Sequence, residues 1–141
     1  NNTILNKFFN FEEIVGIDNF RSTFTGYTLV ANLLFKNLTL LCGDCAHQRT
    51  IKKAEILGPY DLIFIDASHE YKDVKRDFYN YIPFLNKKGV VCFHDIACPD
   101  WPGVGKFWQE LKGSGKFETK EFIKTGFKIQ YGIGMLNKKN I

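Results

Sequence analysis

Four short apolar runs, each with an aspartate at or just before its end, constrain this chain more than any other feature. They are EIVGID (13–18), LTLLCGD (38–44), DLIFIDA (61–67) and GVVCFHD (89–95). Each is rich in Val, Ile, Leu or Phe and apolar almost throughout, the pattern expected of strands covered on both faces. Helix-compatible segments separate them. GYTLVANLLFKN (26–37) precedes the second run, and AHQRTIKKAEILG (46–58) follows it and stops at Gly58-Pro59. In 71–89, Val74, Phe78, Tyr81 and Ile82 recur at helical spacing, Pro83 marks a kink or an end, and NKKG reads as a turn. In 104–113, Val104, Phe107, Trp108 and Leu111 share one helical face. The tail carries two strand-like runs, FETKEFI and YGIGMLN, which read as a closing antiparallel pair.

This alternation predicts an α/β fold: a Rossmann-like, doubly wound, mainly parallel sheet with a C-terminal antiparallel strand pair. At 141 residues the length fits a single domain, 1–141. The net charge is only +4 and the lysines are scattered, with no basic stripe interleaved with stacking aromatics, so nucleic acid is not an expected partner. No apolar run approaches the ~20 residues of a membrane span, so no membrane partner is expected either. The first residues, NNTILNKFF, lack a basic region and a small-residue cleavage pattern, which points to a cytoplasmic compartment. Cys42, Cys45, Cys92 and Cys98 are accordingly expected to be reduced, with Cys42 and Cys92 acting as small hydrophobes in their strands.

In parallel sheets ligands bind beyond the carboxyl ends of the strands, so the four acidic tips become candidates for a site. Asp18 can accept hydrogen bonds from the vicinal hydroxyls of a ribose; alternatively, Asp18 or Asn19 caps a turn. Asp44 can bond an adenine amino group, with Cys45 and Ala46 walling the ring, or it caps the following helix. Asp66 and Asp95 end strands expected to be neighbours. With His94 beside Asp95 they make a hard-ligand cluster suited to Mg²⁺, or to Mn²⁺ or Ca²⁺. His69, three residues beyond Asp66, is placed to act as a general base, imidazole being the side chain that suits this role at neutral pH; otherwise it is a packed loop residue. CGDC has the spacing of a redox pair, but the strand count does not suit a thioredoxin-like fold, and a zinc site lacks its second pair of ligands.

VGIDNF, LCGD, YDLIFIDASHEYKDVKRDF and GVVCFHDI…PGVGKFWQEL together resemble the successive motifs of class I S-adenosylmethionine-dependent methyltransferases. The likeness is to the small-molecule O-methyltransferases that include macrolide sugar methyltransferases and cephalosporin-biosynthesis relatives, and it runs from about residue 10 to 112. It implies that Asp18 takes the cofactor's ribose and that Asp44 lies by its adenine. It implies Mg²⁺ at Asp66 and Asp95, with His94 standing where those members often have an acid, and His69 where some carry the base. The expected sets are therefore Asp18, Asn19, Asp44, Cys45 and Asp66 for cofactor, Asp66, His94 and Asp95 for metal, and His69 for catalysis. Such enzymes begin with a strand and a glycine-rich loop, the strand lying centrally between those ending in Asp18 and Asp66. No such segment is present, and the expectation is of a chain incomplete at its N-terminus. The function expected is methyl transfer from S-adenosylmethionine to a hydroxyl of a small molecule or sugar, with homo-oligomer formation left open. The rivals are a non-catalytic Rossmann-like fragment or binding module, another nucleotide-using α/β enzyme, and a CxxC dithiol oxidoreductase.

Overall fold

The computed structural model describes residues 12–19, 37–124 and 131–139. The segments 1–11 and 20–36, including the expected helix at 26–37, lie outside the described residues apart from Asn37. The chain divides between Leu57 and Gly58 into two compact units.

The first unit carries β1 (Ile14–Asp18), β2 (Leu38–Cys42) and α1 (Gln48–Leu57). The strands pair in parallel, from Ile14 opposite Leu38 to Asp18 opposite Cys42. One more backbone bond, Gly43 N–H to Asp18 O at 2.9 Å, carries the pairing past the strand ends. Helix α1 ends at Leu57, immediately before the Gly58-Pro59 breaker. Cys42 proves exposed at the tip of β2, so it does not act as the small core hydrophobe its strand suggested. All four cysteines are free thiols.

The second unit runs β3 (Tyr60–Ile65), α2 (Tyr71–Tyr81), a 3-10 turn (Ile82–Phe84), β4 (Leu85–Phe93), α3 (Pro102–Gly113), β5 (Phe117–Ile123) and β6 (Gly132–Lys138). Its sheet has the order β3-β4-β6-β5, with β3 and β4 parallel and the other two pairings antiparallel. The alternation of strands with helices and the C-terminal antiparallel pair are those expected of the α/β class. The two parallel ladders belong to separate sheets among the described residues.

Two local expectations differ. NKKG (86–89) is not a turn between elements but part of β4. The register jumps from Tyr60 opposite Leu85 to Leu62 opposite Val90, so these polar residues loop out of the ladder as an irregular bulge. And β3 is not covered on both faces. Among the described residues it forms the edge of its sheet, and Leu62 and Phe64 are exposed.

Helices α2 and α3 share one face of this sheet. Val74 and Phe78 from α2 and Val104, Phe107, Trp108 and Leu111 from α3 meet Val91, Phe93 and Leu136 from β4 and β6 in one core. Val91 and Leu136 are directly paired, so both strands present the same face. Helix α3 starts with Pro102, whose fixed φ and missing N–H suit a first turn. A clamp at its exposed side joins the helices: Lys75 Nζ donates to Glu110 at 2.8 Å, and Tyr71 Oη donates to the same carboxylate at 2.5 Å.

A second tie holds α3 to β5. The buried Trp108 indole N–H donates to Glu121 at 2.5 Å, and Lys112 Nζ donates to the same oxygen at 2.7 Å. The Lys112 bond, and then the indole bond, hold the Glu121 carboxyl below the usual glutamate range. Glu121→Ala leaves the buried indole N–H without its acceptor and is expected to cost about 1–3 kcal/mol in urea unfolding at neutral pH. Because the folded-state pKa is depressed, the contribution is full above the ordinary glutamate range. It is lost as the pH falls through the folded value, so the gap between variant and wild type narrows in acid.

Candidate active site

The β3–β4 register builds the site. Ile65 lies opposite Phe93 in a parallel pair, and His94 N–H donates to Ile65 O at 3.2 Å. The next residues on each strand, Asp66 and His94, therefore emerge side by side, with Asp95 one step further. Asp95 has φ 61°, in the left-handed region that aspartate tolerates better than most residues. Its carboxylate is turned inward and is only 6% exposed.

His69 comes to the same point from the loop before α2. Ser68 Oγ donates to Asp73 at 3.0 Å and accepts from Glu70 N–H at 3.3 Å, closing the loop around His69. The helix opposite is brought unusually near. A Cβ on Gly103 would run into His69 O and Tyr71 N, and one on Gly105 would meet Ile96 O at 2.9 Å. Only glycine lets the first turn of α3 press against both loops of the site.

His69 Nε2 lies 3.0 Å from Asp95 Oδ2 and 3.9 Å from Asp66 Oδ1. A carboxylate oxygen can only accept, so Nε2 carries the proton in this bond and Nδ1 is the imidazole's acceptor atom. Asp95 thus orients His69, as a buried acid orients a catalytic histidine elsewhere. The other oxygen of Asp95 behaves differently. His94 Nδ1 is 3.0 Å from Asp95 Oδ1 and 3.5 Å from Asp66 Oδ1. Despite the short distance, His94 Nδ1 and Asp95 Oδ1 share no hydrogen bond, and both are buried without a hydrogen-bond partner among the described residues. Buried polar atoms in that state are costly unless something satisfies them.

A divalent cation would satisfy them. Metal–ligand bonds of about 2.1 Å place adjacent donors about 3.0–3.4 Å apart, close to the 3.0 and 3.5 Å that separate His94 Nδ1 from Asp95 and Asp66. The carboxylates of Asp66 and Asp95, with His69, also gather ligand atoms within 4.8 Å of one another. The distance-defined donor group thus contains His69 with the two carboxylates, while His94 of the expected set lies beside the same carboxylates.

In the first unit, Asp18 closes β1 beside the Gly43–Cys45 turn. Asp44 Oδ1 accepts from Ala46 N–H at 2.8 Å, a turn-closing bond that occupies one of its oxygens. It does not cap α1, whose first residue is Gln48. A cavity of about 360 Å³ opens here, lined by Gly43, Asp44, Arg49, Thr50 and Lys53 among others. Asn19 and Cys45 flank these residues in sequence. The structure thus groups Asp18 with Asp44, and Asp66 with His69, His94 and Asp95.

Two aromatic neighbours escaped the sequence reading. The Trp101 indole lies on the His69 ring, centroids 4.7 Å apart and tilted by 31°. Tyr131 stacks on His94 at 6.1 Å and 26°, with Phe64 on the same imidazole at 6.3 Å. The one available signal was the pair of glycines inside a helical pattern, Gly103 and Gly105, which cost helix propensity and so call for a packing reason.

A parallel-strand α/β domain with an acid–imidazole cluster at its strand ends has the form of an enzyme's ligand-handling core. The chain belongs to the methyltransferase domain family, whose pattern matches residues 4–96. It is 39% identical over 77 residues to y4gI, an uncharacterized protein of Sinorhizobium fredii, a stretch covering 54% of this chain and 8% of that one. Its fold matches a candidate caffeoyl-CoA O-methyltransferase of Staphylococcus aureus with TM-score 0.67 at 16% identity, over 90% of this chain and 65% of the other. It also matches MycE, a methyltransferase of the mycinamycin biosynthetic pathway in complex with Mg, SAH and mycinamycin VI. That match has TM-score 0.60 at 14% identity, over 89% of this chain and 36% of the other. The chain therefore spans less than two thirds of the length of each of these proteins. No helix among the described residues is long and apolar enough to cross a membrane.

Proposed function

We propose that the chain transfers a methyl group from S-adenosylmethionine to a hydroxyl of a small molecule or sugar. Membership of the methyltransferase domain family supports the reaction class, and the O-methyltransferase fold matches support oxygen as the acceptor. The observation that carries the chemistry is the split use of Asp95, one oxygen on His69 and the other buried and unpartnered beside His94.

In this reading Asp18 accepts the cofactor's ribose hydroxyls, with Asn19, Asp44 and Cys45 contributing around the adenine and Asp66 also facing the cofactor. The acceptor oxygen forms its bond to the methyl carbon as the carbon–sulfur bond breaks, in line, and the sulfonium leaves as a neutral thioether. His69 takes the hydroxyl proton on Nδ1, while Asp95 holds Nε2–H and stabilises the imidazolium that results. Trp101 covers one face of the ring and limits its rotation. Asp66, His94 and Asp95 would hold a divalent cation, which when bound polarises a coordinated hydroxyl and offsets the repulsion between the two carboxylates.

The cofactor half is tested on Asp18. Asp18→Ala is expected to weaken S-adenosylmethionine binding by about 1.5–3 kcal/mol in calorimetry, the scale of a hydrogen bond to a charged group. Unchanged affinity would remove Asp18 from the cofactor site.

A further inference from the structure

The cluster at the β3–β4 tips is not an all-oxygen site. Its buried, unpartnered pair consists of one carboxylate oxygen, Asp95 Oδ1, and one imidazole nitrogen, His94 Nδ1. At 3.0 Å and without a hydrogen bond between them, the two atoms leave donor capacity that a cation held between them would use. Asp66 Oδ1, 3.5 Å from the same nitrogen, supplies the third donor.

The setting of His94 bears on which cation that is. Tyr131 stacks on its ring and Phe64 lies tilted near it, and its side chain is 34% exposed. Aromatic neighbours restrict the ring and so help fix the direction of Nδ1. Mg²⁺ is a hard ion that prefers carboxylate, carbonyl and water oxygens. Imidazole nitrogen suits first-row transition ions, whose affinities for such sites rise from Mn²⁺ towards Cu²⁺.

We propose that His94 makes this a mixed nitrogen–oxygen site for a first-row transition ion, Mn²⁺ or a later member of that row, in preference to Mg²⁺. The proposal rests on the cation reading of Asp66, His94 and Asp95 given above and adds the ion's class and the atom that selects it.

The test uses the full chain with Mn²⁺ and Mg²⁺ as probes and reads binding rather than activity. Calorimetry gives the ratio of Mn²⁺ to Mg²⁺ affinity in wild type and in His94→Glu. Replacing nitrogen with carboxylate oxygen is expected to lower that ratio at least about tenfold. Pulsed electron paramagnetic resonance of bound Mn²⁺ is expected to show coupling to an imidazole nitrogen in wild type and in His69→Gln, and none in His94→Glu. The wild-type spectrum needs no variant to fold. Binding of both ions with no nitrogen coupling overturns the proposal while leaving an oxygen-ligated cation site intact. Coupling that disappears in His69→Gln instead makes His69 the ligand and overturns the role given to His94. If neither ion binds, the proposal and the cation reading fall together, and the family assignment is untouched.

Discussion

His69→Ala is expected to lower the turnover rate by about 10²–10⁴, the usual worth of a positioned general base, while leaving cofactor and cation affinity nearly unchanged. The expectation follows from what Nε2 and Nδ1 each do. Nε2 is committed to Asp95 Oδ2 at 3.0 Å, so the substrate-facing work falls to Nδ1. Alanine removes both atoms and frees Trp101 from its stack, but leaves Asp66, His94 and Asp95 in place. Rapid-quench turnover measurements, paired with calorimetry for cofactor and Mn²⁺, separate the two effects. A His69→Ala protein of full activity would make the histidine a loop residue held by Ser68 and Gly103 for structural reasons alone.

Asp95→Asn is expected to do more damage than any other single change, because Asp95 serves both halves of the cluster. Asparagine is a deliberate choice. It tolerates the left-handed backbone that φ 61° requires, so the effect isolates charge from backbone strain. Turnover should drop by at least about 10², since the imidazolium that forms on His69 loses its stabilising carboxylate. Cation affinity should fall by more than the 10- to 100-fold that follows loss of an outer-shell partner, because a direct donor is weakened. The folded protein should not suffer. In the presence of chelator the variant no longer confines a buried charge with an unpartnered oxygen, and its thermal midpoint should match or exceed that of wild type. A large loss of stability together with normal cation affinity would show that Asp95 is a structural acid.

The strand ends were legible before the fold was known, for a simple reason. Apolar runs of five to seven residues ending in aspartate mark both the strand and its exit, and the α/β alternation makes consecutive strands neighbours. Asp66 and Asp95 could therefore be placed together, with His69 one turn away. Helices within 71–89 and over 104–113 followed from periodicity and from Pro83 and Gly113, and the structure has them at Tyr71–Tyr81 and Pro102–Gly113. What could not be read depends on contacts between distant parts of the chain. The stacking of Tyr131 on His94 joins the start of the last strand to the end of the fourth. The close seat of Gly103 against His69 is a matter of backbone approach, which no side-chain pattern encodes. The exposure of Leu62 and Phe64 on β3 was hidden because an apolar strand looks the same in sequence at a sheet's edge and in its interior. Asp44 shows a subtler limit: its side chain closes a turn on Ala46 instead of capping the helix that its position suggested.

Transfer of a methyl group from sulfur to a hydroxyl oxygen is tested by following that group. The full chain is incubated with S-adenosylmethionine labelled in the methyl position, with Mn²⁺ and a panel of sugar and phenolic hydroxyl acceptors, and the label is traced by mass spectrometry. The predicted result is a methyl ether on an acceptor, formed one for one with S-adenosylhomocysteine and strongly reduced in His69→Ala. Label found on nitrogen, carbon or the protein itself, or undiminished transfer in His69→Ala, would contradict it.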